Sequence, residues 1–567
     1  MISFSSRKLL FLTMFVMLLL VLPVFCLADY QDDIFVQPAL PPEQAELAWQ
    51  SRILAYQNKS GSYLFLPSRW HSIPLTFHYP NPQTLYLQDV PFASGSVLPA
   101  VSPGSDIVLT DEKGVVRHHI QMMEGTGIPS VFVQTESGSM KALDRSKANR
   151  ESGTLLLYGV DGVLQNDEAI DEIRGRGNST YNTNFSKRAY QVRLSSSTDL
   201  CGMGKARTYN LMADYIDISL LRNRISMDMA KQVGIPYALD SQSVNLFLNN
   251  RYNGVYLLTE KIGVNQNRLN IFDLERATEA VNAGTLENYE ISRTIAADRS
   301  WYVSYNIPNN PPNITGGYIL ELEYASRVTK LTNGIRTSNG ACLVIKEPTC
   351  VTAEQAEYIG QIFNRYHRAI MAADGIDPQS GMRYDELIDT DSMALVLILQ
   401  EYCKNYDHEQ GSLFFYKDVD AVSTKVYAGP VWDFDRTYGS VQTGRWLNSP
   451  NNMLYKGNKM QHYLYGNVFN KQADFEARVK ELYAERYLPA LALLLGEREP
   501  AAGDALRPLA EYRAEIEPSV RMNFTYWNSF SVKQIVKYSG QSFDTSYDYL
   551  LRFLQNRREA MNNNWLQ

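Results

Sequence analysis

The stretch from Gly429 to Gly439 reads GPVWDFDRTYG and guides the interpretation of the rest of the sequence. It places two carboxylates, Asp433 and Asp435, two residues apart after a short apolar run. On an extended backbone both side chains would point the same way, because side chains alternate between the faces of a strand. Two converging oxygen donors suit a hard divalent cation such as Mg²⁺, which usually binds together with a phosphate. The alternative is a solvated or hydrogen-bonded turn before a glycine.

Length and charge limit the classes of protein to which the chain can belong. A chain of 567 residues exceeds the size of one hydrophobic core, so we expect two or three domains. The formal net charge is -7, and it becomes -9 without the two basic residues of the first 28 positions. A net negative charge disfavours nucleic acid or an anionic membrane surface as the main partner.

The first 28 residues have the pattern of a secretory signal. Arg7 and Lys8 precede an apolar run over residues 9–25, and polar sequence begins just after Ala28. The run is a little shorter than a typical spanning helix, so we expect cleavage near Ala28, with no stable membrane span afterwards, and a secreted or cell-surface protein. The alternatives are a retained membrane anchor and a lipid anchor on Cys26.

Four cysteines remain beyond the predicted signal. Outside the cytosol, Cys201, Cys342, Cys350 and Cys403 allow three disulfide pairings. Cys342 and Cys350 flank a short strand-turn stretch and are the first pair that we expect. None of the cysteines has the spacing of a zinc site, so buried or structural thiols are the favoured interpretation.

Composition divides the rest of the chain into segments. Residues 29–60 read as a polar tether leading into a short helix. Residues 61–125 read as short strands separated by Pro, Gly, Asn and Asp turns, which predicts a small β-sandwich module. Strand and helix patterns alternate from residue 126 onward, except in residues 266–315, which are rich in Asn and Pro and predict an insertion or mobile loop.

Apolar residues at helical spacing predict the main helices. A helix over 217–233 ends at a Gly-Ile-Pro stop, and strands at 244–248 and 254–260 form a hairpin. Further helices are predicted over 352–372 and 391–402, and near 471–496, 503–519 and 544–563.

Seven short motifs then occur in a fixed order. They are IRGRGNST at 173–180, KRAYQVRL at 187–194, DISLLRNR at 217–224, NGVYLLTEK at 253–261, GGYILELE at 316–323, NYD at 405–407 and VWDFDRTYG at 431–439. In this order they resemble the spore coat protein H (CotH) kinase family, with coverage from about residue 126 to the end. The ordinary kinase signatures G-x-G-x-x-G-x-V, H-R-D and D-F-G are absent.

The resemblance implies an α+β fold with an atypical protein-kinase-like core, here joined to the small N-terminal β-sandwich module and to C-terminal helices. The N-lobe would cover about 126–262 and the C-lobe about 316–567. It also implies binding of ATP with Mg²⁺ or Mn²⁺. The family's studied members phosphorylate proteins, notably spore coat proteins on Ser.

The glycine-rich stretch is the predicted phosphate loop. Gly175 and Gly177 would let backbone N–H groups approach a phosphate, and Asn178 and Ser179 would add donors. The alternative for this stretch is a tight β-turn.

Four basic residues are candidate nucleotide ligands. Arg174 and Arg176 are phosphate ligands or surface charges. Lys187 or Arg193 would supply the cation for the α- and β-phosphates. Arg193 alternates with apolar neighbours along its strand, and the alternative for Lys187 is an ordinary solvated lysine.

Further polar residues have open roles. Asp217 is interpreted as the N-cap of the helix over 217–233. Arg222 points into the site or pairs with a surface carboxylate. Glu260 ends a strand where a kinase would place its adenine-binding hinge, and it contacts nucleotide or pairs with a basic neighbour. Glu321 and Glu323 share one strand face and are interpreted as structural.

Asp407 is the predicted catalytic carboxylate, which would accept a hydrogen bond from the substrate hydroxyl. Asp433 is the predicted main metal ligand, and Asp435 is a second ligand or a support. Family members usually carry Asn near the start of the next strand, where Ser412 stands here. Because Ser is a weaker metal ligand than an amide oxygen, activity could be reduced or the metal requirement altered.

These observations lead to one functional expectation and two alternatives. We expect an exported atypical protein kinase that transfers the ATP γ-phosphoryl group to Ser or Thr hydroxyls of a coat or surface protein. The first alternative is a catalytically weak or inactive kinase-fold protein with a binding or structural role. The second is a carbohydrate-active enzyme, for which paired acids would flank a sugar bond about 5–9.5 Å apart.

Overall fold

The structure is a computed structural model. It describes residues 34–80, 84–99, 102, 104–177, 181, 185–328, 333–405, 407, 411–440, 445–457, 464–527 and 542–566. The predicted signal segment therefore lies outside the described residues. The chain divides into two compact units. Unit 1 runs to Leu66 and then from Trp70 to Glu124, and unit 2 consists of Pro67–Arg69 and the chain from Gly125 onward.

Unit 1 is built from two sheets, in which every strand pair with a described register is antiparallel. One sheet has the order β2-β1-β5-β8, from β1 (Phe35–Pro38), β2 (Ile53–Leu54), β5 (Leu75–His78) and β8 (Ser96–Val97). The other has the order β3-β4-β10-β9-β6-β7, from β3 (Tyr56–Asn58), β4 (Gly61–Pro67), β6 (Leu85–Leu87), β7 (Val90–Phe92), β9 (Asp106–Thr110) and β10 (Val116–Gly125).

The segment interpreted as a tether is part of this unit. Helix α1 (Ala45–Gln50) is the short helix expected there, but β1, β2 and β3 also fall within residues 34–58. Val36 and Ile53 are fully buried, so these strands contribute to the core of unit 1. The tether interpretation is wrong for this part because its strands are too short to show a clear alternation in the sequence.

Unit 2 begins with a closed barrel, in which seven strands of the described chain follow the order β11-β12-β13-β14-β15-β17-β16. They are β11 (Ser130–Thr135), β12 (Glu151–Tyr158), β13 (Leu164–Arg176), β14 (Ala189–Asp199), β15 (Lys205–Met212), β16 (Ser241–Leu248) and β17 (Arg251–Glu260). Neighbours are antiparallel except β11 and β16, whose parallel pairing closes the barrel. Helix α2 (Lys141–Arg145) lies between β11 and β12, and α3 (Arg222–Val233) lies between β15 and β16.

A second sheet follows the barrel, and its described strands have the order β18-β19-β21-β22-β20-β23-β24. They are β18 (Ile291–Ile295), β19 (Trp301–Tyr305), β20 (Tyr318–Leu322), β21 (Gly334–Arg336), β22 (Cys342–Glu347), β23 (Leu413–Lys417) and β24 (Tyr427–Val431). Residues 266–315 are therefore not a loop: they carry α4 (Leu274–Ala280) and the hairpin β18–β19, which extends the edge of the sheet.

Helices cover the C-terminal half of unit 2. They are α5 (Ala325–Val328), α6 (Ala353–Met371), α7 (Tyr384–Leu387), α8 (Thr390–Cys403), α9 (Arg445–Asn448), α10 (Leu464–Lys471), α11 (Ala473–Leu482), α12 (Leu488–Leu494), α13 (Leu509–Tyr526) and α14 (Phe543–Trp565). The predicted helices over 352–372 and 391–402 are confirmed as α6 and α8. Thr352 caps α6 by accepting a hydrogen bond from the N–H of Gln355.

Helix α8 lies at the centre of this half. From Ser392 to Cys403 every residue is buried, so this helix is packed on all sides. Its C-terminal end leads directly to Asp407, and β23 begins six residues later. The buried helix therefore leads to the predicted catalytic carboxylate.

The expected disulfide is absent from the described residues. Cys201, Cys342, Cys350 and Cys403 are all free thiols. Cys342 packs in an apolar cluster with Trp301, whereas Cys350 packs in a separate cluster with Leu286. The predicted pairing of Cys342 with Cys350 is wrong in this structure because the two thiols are buried in different clusters. Within the part of the chain that the structure describes, no helix combines the length and apolarity that a bilayer crossing needs.

Candidate functional site

Asp433 does not lie on an extended strand. Strand β24 ends at Val431, and Asp433 has a φ of 67°, in the left-handed region that non-glycine residues rarely occupy. The alternation argument for Asp433 and Asp435 is therefore wrong, because the chain turns between them. A strained backbone at a carboxylate is frequent at functional sites, where the surrounding structure holds it in place.

Other groups surround the Asp433 carboxylate. Burial raises its pKa to about 6, and the nearby Asp407 carboxylate acts in the same direction. The Arg176 guanidinium opposes these effects, Glu321 adds to them, and the Ser412 hydroxyl donates a hydrogen bond to Oδ2 at 3.4 Å. Three separate parts of the chain thus bring charged groups to one point.

Arg176 is the cation that faces Asp433. It ends β13, and its guanidinium carbon lies 5.0 Å from the centroid of the Trp432 ring. Burial lowers the pKa of Arg176, while the charges of Asp433 and Glu321 raise it. A guanidinium held against an aromatic face keeps its edge free to bind oxygen anions.

Glu321, predicted to be structural, makes structural contacts and also lies beside the site, where its charge acts on Asp433 and Arg176. Its Oε1 accepts a hydrogen bond from the Ser412 N–H at 3.1 Å, and its Oε2 pairs with Lys346 Nζ at 3.0 Å. Glu321 is on β20, beside β23, and this pairing brings it to Ser412. The sequence showed that Glu321 and Glu323 share one strand face, but it did not show that β20 would pair with β23.

Asp407 lies in the loop after α8. Its backbone N–H donates to Asn405 Oδ1 at 2.9 Å, and Tyr324 donates its hydroxyl to Asp407 Oδ1 at 3.1 Å. The Tyr324 hydroxyl contacts the carboxylate itself, and the Asn405 side chain holds the backbone of the same residue. Its neighbours at 406 and 408–410 lie outside the described residues.

Asp435 faces a different set of groups. Burial raises the pKa of its carboxyl well above the usual range, and the charges of Asp433 and Asp214 reinforce the shift. Asp214 is itself buried, which raises its pKa to about 7, and it accepts a hydrogen bond from Asn223 Nδ2 at 2.7 Å. The Phe434 N–H donates to Asn223 Oδ1 at 2.7 Å, so α3 holds the loop between the two aspartates.

Arg222 is a structural link. Helix α3 begins at Arg222 instead of near Asp217, so Asp217 is not the N-cap residue. The Asp217 carboxylate nevertheless accepts from the N–H groups of Leu221 and Arg222, at 3.2 and 2.9 Å, and it forms a buried ion pair with Arg222. Arg222 Nε donates to the Thr437 carbonyl at 3.1 Å. With its side chain fully buried, Arg222 offers no surface to a nucleotide.

Lys187 lies beside Asp214, at the edge of this cluster, whereas Arg193 is on the exposed side of β14. Lys187 is buried, and its Nζ donates to the Val255 carbonyl at 2.5 Å and to Asn523 Oδ1 at 3.2 Å. Burial lowers its pKa to about 7, while the nearby Asp214 charge raises it. Arg193 is exposed on β14. The hydrogen bonds of Lys187 thus join the barrel to α13, and its ammonium acts on Asp214, which in turn acts on Asp433.

A ladder of hydrogen bonds between polar side chains crosses neighbouring barrel strands, and it starts on β13, the strand that carries Arg176. Arg174 donates to Gln191 Oε1 at 3.1 and 2.7 Å, Gln191 donates to Asn210 at 3.1 Å, and Asn210 donates to the Glu260 carbonyl at 3.0 Å. Arg174 also pairs with Glu172 at 3.4 Å. Next to the ladder lies an apolar cluster that joins barrel and second sheet, formed by Met212, Leu257, Ile319, Phe414 and Trp432 among others.

Glu260 closes the end of this ladder through its backbone. Its side chain instead pairs with buried Arg268 at 2.5 Å, and Lys261 pairs with Glu347 at 3.8 Å. Burial raises the pKa of Glu260 to about 7, and Arg268 opposes the shift. Of the two expectations for Glu260, the structure favours the pairing with a basic neighbour.

Among the described residues of the glycine-rich stretch, Ile173 to Arg176 belong to strand β13. Gly175 pairs with Tyr190 across β13 and β14, and a Cβ atom added at Gly175 would lie 2.1 Å from Cε2 of Tyr181. A glycine is required there because the Tyr181 ring occupies the space. Gly177 has a φ of 96° and begins the turn, whereas Asn178 and Ser179 lie outside the described residues.

The donor set fits a cation that arrives with a nucleotide. Asp433 and Ser412 supply two oxygen donors, with Asp407 and Glu321 nearby. Among the described residues, no group of three or more acidic, His or Cys side chains is arranged to hold a metal unaided. Mg²⁺ commonly takes one or two carboxylates, with phosphate oxygens and waters completing its octahedron.

A family model described as CotH kinase protein matches residues 173–561, well over half of the chain. This protein belongs to the CotH kinase family. A search of curated proteins gives no match to the chain. Membership implies a kinase-like fold and the use of ATP, and the matched range contains every residue of the Asp407–Asp433 cluster. Unit 1 and the first strands of the barrel precede the match.

Proposed function

We propose that this CotH family member is an exported atypical protein kinase that transfers the γ-phosphoryl group of ATP to Ser or Thr hydroxyls of a protein. The observation that carries the proposal is the convergence of Asp407 and Asp433 opposite Arg176. Phosphoryl transfer depends on positioning and charge neutralisation more than on covalent participation by the enzyme. An acceptor carboxylate, a metal-type oxygen pair and a cation are the parts that this reaction needs.

In this proposal, Asp407 is the group that orients the acceptor. Its carboxylate would accept a hydrogen bond from the substrate hydroxyl and aim the oxygen at the phosphorus. Tyr324 and Asn405 hold the Asp407 loop, so the carboxylate is oriented before the substrate arrives. Orientation of this kind lowers the activation barrier because less motion must be lost in the transition state.

Asp433 and Ser412 are the residues that would hold a divalent cation, with Asp435 behind them as a buried support. The bound cation would neutralise the phosphate charge that develops in the transition state. The Arg176 guanidinium opposes the burial that raises the Asp433 pKa and so favours the ionised carboxylate that binds a cation. Arg176 would bind the phosphate oxygens from the other side.

A second candidate function is a catalytically weak kinase-fold binding protein. Two observations favour it: Ser412 stands where the family usually carries Asn, and Lys187 is engaged with Val255 and Asn523. The two candidates differ in phosphoryl transfer, which the active kinase performs at a higher rate. They also differ in nucleotide binding if the weak or inactive protein has lost it. A ligand present at about 100 times its dissociation constant stabilises a protein by about 2.7 kcal/mol, so thermal unfolding with ATP and Mn²⁺ detects binding.

The test of the first candidate is incubation of the purified protein with γ-labelled ATP, Mg²⁺ or Mn²⁺, and Ser-rich acceptor proteins. Label that resists hydroxylamine and appears on Ser or Thr supports the proposal. Nucleotide binding without transfer would instead support the second candidate, and neither binding nor transfer would exclude both.

Export rests on the sequence of residues 1–28 alone. Mass spectrometry of the protein secreted by a bacterial host would show an N-terminus near Asp29. A chain that stays in the cell pellet with residues 1–28 attached would contradict export of a soluble form.

A further inference from the structure

The backbone at Asp433 has to be held in place by its surroundings. Its φ of 67° lies in the left-handed region, which a non-glycine residue keeps only where the neighbouring structure enforces it. The peptide group between Asp433 and Phe434 is planar, so its orientation sets the ψ angle of Asp433 and the direction in which the carboxylate leaves the chain. The N–H of this peptide group belongs to Phe434, whose side chain is fully buried.

The side chain of Asn223, in the first turn of α3, holds this peptide group. Its Oδ1 accepts a hydrogen bond from the Phe434 N–H at 2.7 Å. Its Nδ2 donates to Asp214 Oδ1, also at 2.7 Å. Asp214 has a φ of 44°, so the amide of Asn223 joins two residues with left-handed backbones, Asp214 and Asp433. Asn223 is buried, which keeps bulk water from competing for either bond.

An amide supplies both contacts from one short side chain. A carboxylate at position 223 would keep an acceptor for the Phe434 N–H, but it has no N–H to donate to Asp214. An apolar side chain would leave the Phe434 N–H buried without an acceptor, and a rotation of the peptide group would relieve that cost. Such a rotation would turn the Asp433 carboxylate out of its place beside Arg176 and Ser412.

Helix α3 also holds the far end of the Asp433 loop. Ser226 is a neighbour of Asn223 on the helix surface, and its hydroxyl shares a hydrogen bond of 2.9 Å with the Tyr438 hydroxyl. Tyr438 has a φ of 49°, and its N–H donates to the Cys403 carbonyl at 2.7 Å. Because this end is fixed independently, loss of the Asn223 amide would release the Asp433 end alone.

We propose that Asn223 is a positioning residue for the divalent cation, because its amide fixes the peptide group between Asp433 and Phe434 and thereby aims the Asp433 carboxylate. The inference rests on the proposed kinase function for the cation and on the two hydrogen bonds of Asn223 for the geometry. Asn223 itself touches neither the cation nor the nucleotide. Residues that orient a metal ligand in this way commonly account for a factor of about 10–100 in metal affinity or activity.

The same helix provides a matched control, Gln232. It follows Asn223 by about two and a half helical turns, so its side chain leaves the opposite side of α3. Its amide makes the same kinds of contact: Oε1 accepts from the N–H groups of Ala505 and Leu506, at 2.8 and 3.1 Å, and Nε2 donates to Asp504 at 2.7 Å. A leucine at position 232 therefore removes similar bonds from α3 without touching the loop of the proposed cation site.

The first measurement is hydrogen exchange of the full chain without nucleotide or metal. In N223L, the proteolytic fragment that contains Phe434 should exchange about fivefold faster or more, because one buried hydrogen bond is lost. N223D keeps an acceptor for the Phe434 N–H and should exchange more slowly there than N223L. Q232L should leave this fragment at the wild-type rate. Unchanged exchange in N223L, or equal acceleration in Q232L, would overturn the inference.

The second measurement is the Mn²⁺ concentration for half-maximal ATP binding, determined by calorimetry. It should rise about 10–100-fold in N223L and by less than about twofold in Q232L. The KM for the protein acceptor should stay within about twofold in both variants, because the Asp407 contacts are unaltered. Equal Mn²⁺ requirements in wild type and N223L would overturn the inference. N223A covers the case in which N223L does not fold, and the same expectations apply to it.

The two measurements separate this inference from the kinase proposal. Faster exchange at Phe434 with an unchanged Mn²⁺ requirement would refute the positioning role and leave the kinase proposal intact. A wild type that neither binds ATP with Mn²⁺ nor transfers phosphate would refute both the kinase proposal and the positioning of a cation. The exchange result would then show only whether Asn223 holds the backbone of Asp433.

Discussion

Replacing Arg222 with methionine is expected to destabilise unit 2 by about 3–5 kcal/mol, the usual cost of removing one partner from a buried ion pair. Both side chains of the pair with Asp217 are buried, at 0% and 1% exposure. An exposed pair would be worth only about 0–1 kcal/mol, so the measured loss distinguishes the two situations.

Two smaller effects act in opposite directions. The variant loses the bond from Arg222 Nε to the Thr437 carbonyl, worth about 0.5–1.5 kcal/mol. It also removes Nη2, which has no hydrogen-bond partner among the described residues and whose burial costs about 1–3 kcal/mol. The Asp217 carboxylate keeps neutral donors, including the Ser219 hydroxyl at 2.6 Å, which prevents a larger loss. The estimate therefore stays at about 3–5 kcal/mol.

Urea unfolding followed by tryptophan fluorescence measures this loss, with hydrogen exchange in α3 as a local probe. With an m-value of about 3 kcal/mol/M, the midpoint should fall by roughly 1–1.7 M. The control R193M alters an exposed arginine and should stay within about 0.5 kcal/mol of wild type. A loss below about 1 kcal/mol in R222M would refute the buried pair and would reopen a nucleotide-binding role for Arg222.

Three further predictions follow from single contacts. Gly175→Ala should destabilise the barrel by about 1–3 kcal/mol in urea unfolding, because its Cβ would meet the Tyr181 ring at 2.1 Å. In a Y181A background the same substitution should lose most of that cost, and an unchanged unfolding midpoint in Gly175→Ala alone would contradict the contact. S412N should lower the Mn²⁺ concentration for half-maximal ATP binding by roughly two- to tenfold, because an amide oxygen is a better metal ligand than a hydroxyl, and S412A should raise it. If calorimetry gives the same Mn²⁺ concentration for wild type, S412N and S412A, metal binding at this position is contradicted. Burial raises the pKa of Glu347 to about 7 from 4.5, so its stabilising contribution is complete below about pH 4.5 and is lost as pH rises through 7. E347Q should therefore be more stable than wild type at pH 8 but not at pH 4.5, whereas the exposed E559Q should show no such difference in thermal unfolding.

The sequence identified the polar residues of the site better than their partners. Asp407, Asp433 and Ser412 lie together with Arg176, as the ordered motifs implied. Glu321 was assigned a structural role because a strand pattern shows which residues share a face, not which strand will lie beside it.

Buried contacts of charged side chains explain most of the differences between the predicted roles of the site residues and their contacts in the structure. Lys187 precedes a strand in the sequence and looked like a free cation, but its Nζ bonds Asn523, 336 residues away. Arg222 was open to either role because helical spacing does not show that Thr437 covers its guanidinium. Contacts of this range follow from tertiary packing, which local patterns do not contain.

The fold was likewise predicted well where a sequence pattern is long and poorly where it is short. Long helices such as α6 and α8 were predicted within one or two residues, because their apolar spacing extends over several turns. The strands of residues 34–58 and the β18–β19 hairpin were missed. Strand β18 is mostly exposed at a sheet edge, and its residues do not alternate clearly between apolar and polar.

Binding of ATP and Mn²⁺ to wild type, D407N and D433N tests most directly whether Asp407 and Asp433 serve one nucleotide site in different roles. Thermal unfolding should show equal ligand-induced stabilisation of wild type and D407N, about 2.7 kcal/mol at 100 times the dissociation constant, and little or none for D433N. Transfer of label to protein should occur only with wild type. Equal stabilisation of D433N and wild type would contradict the site, and so would label transfer by D407N at the wild-type rate.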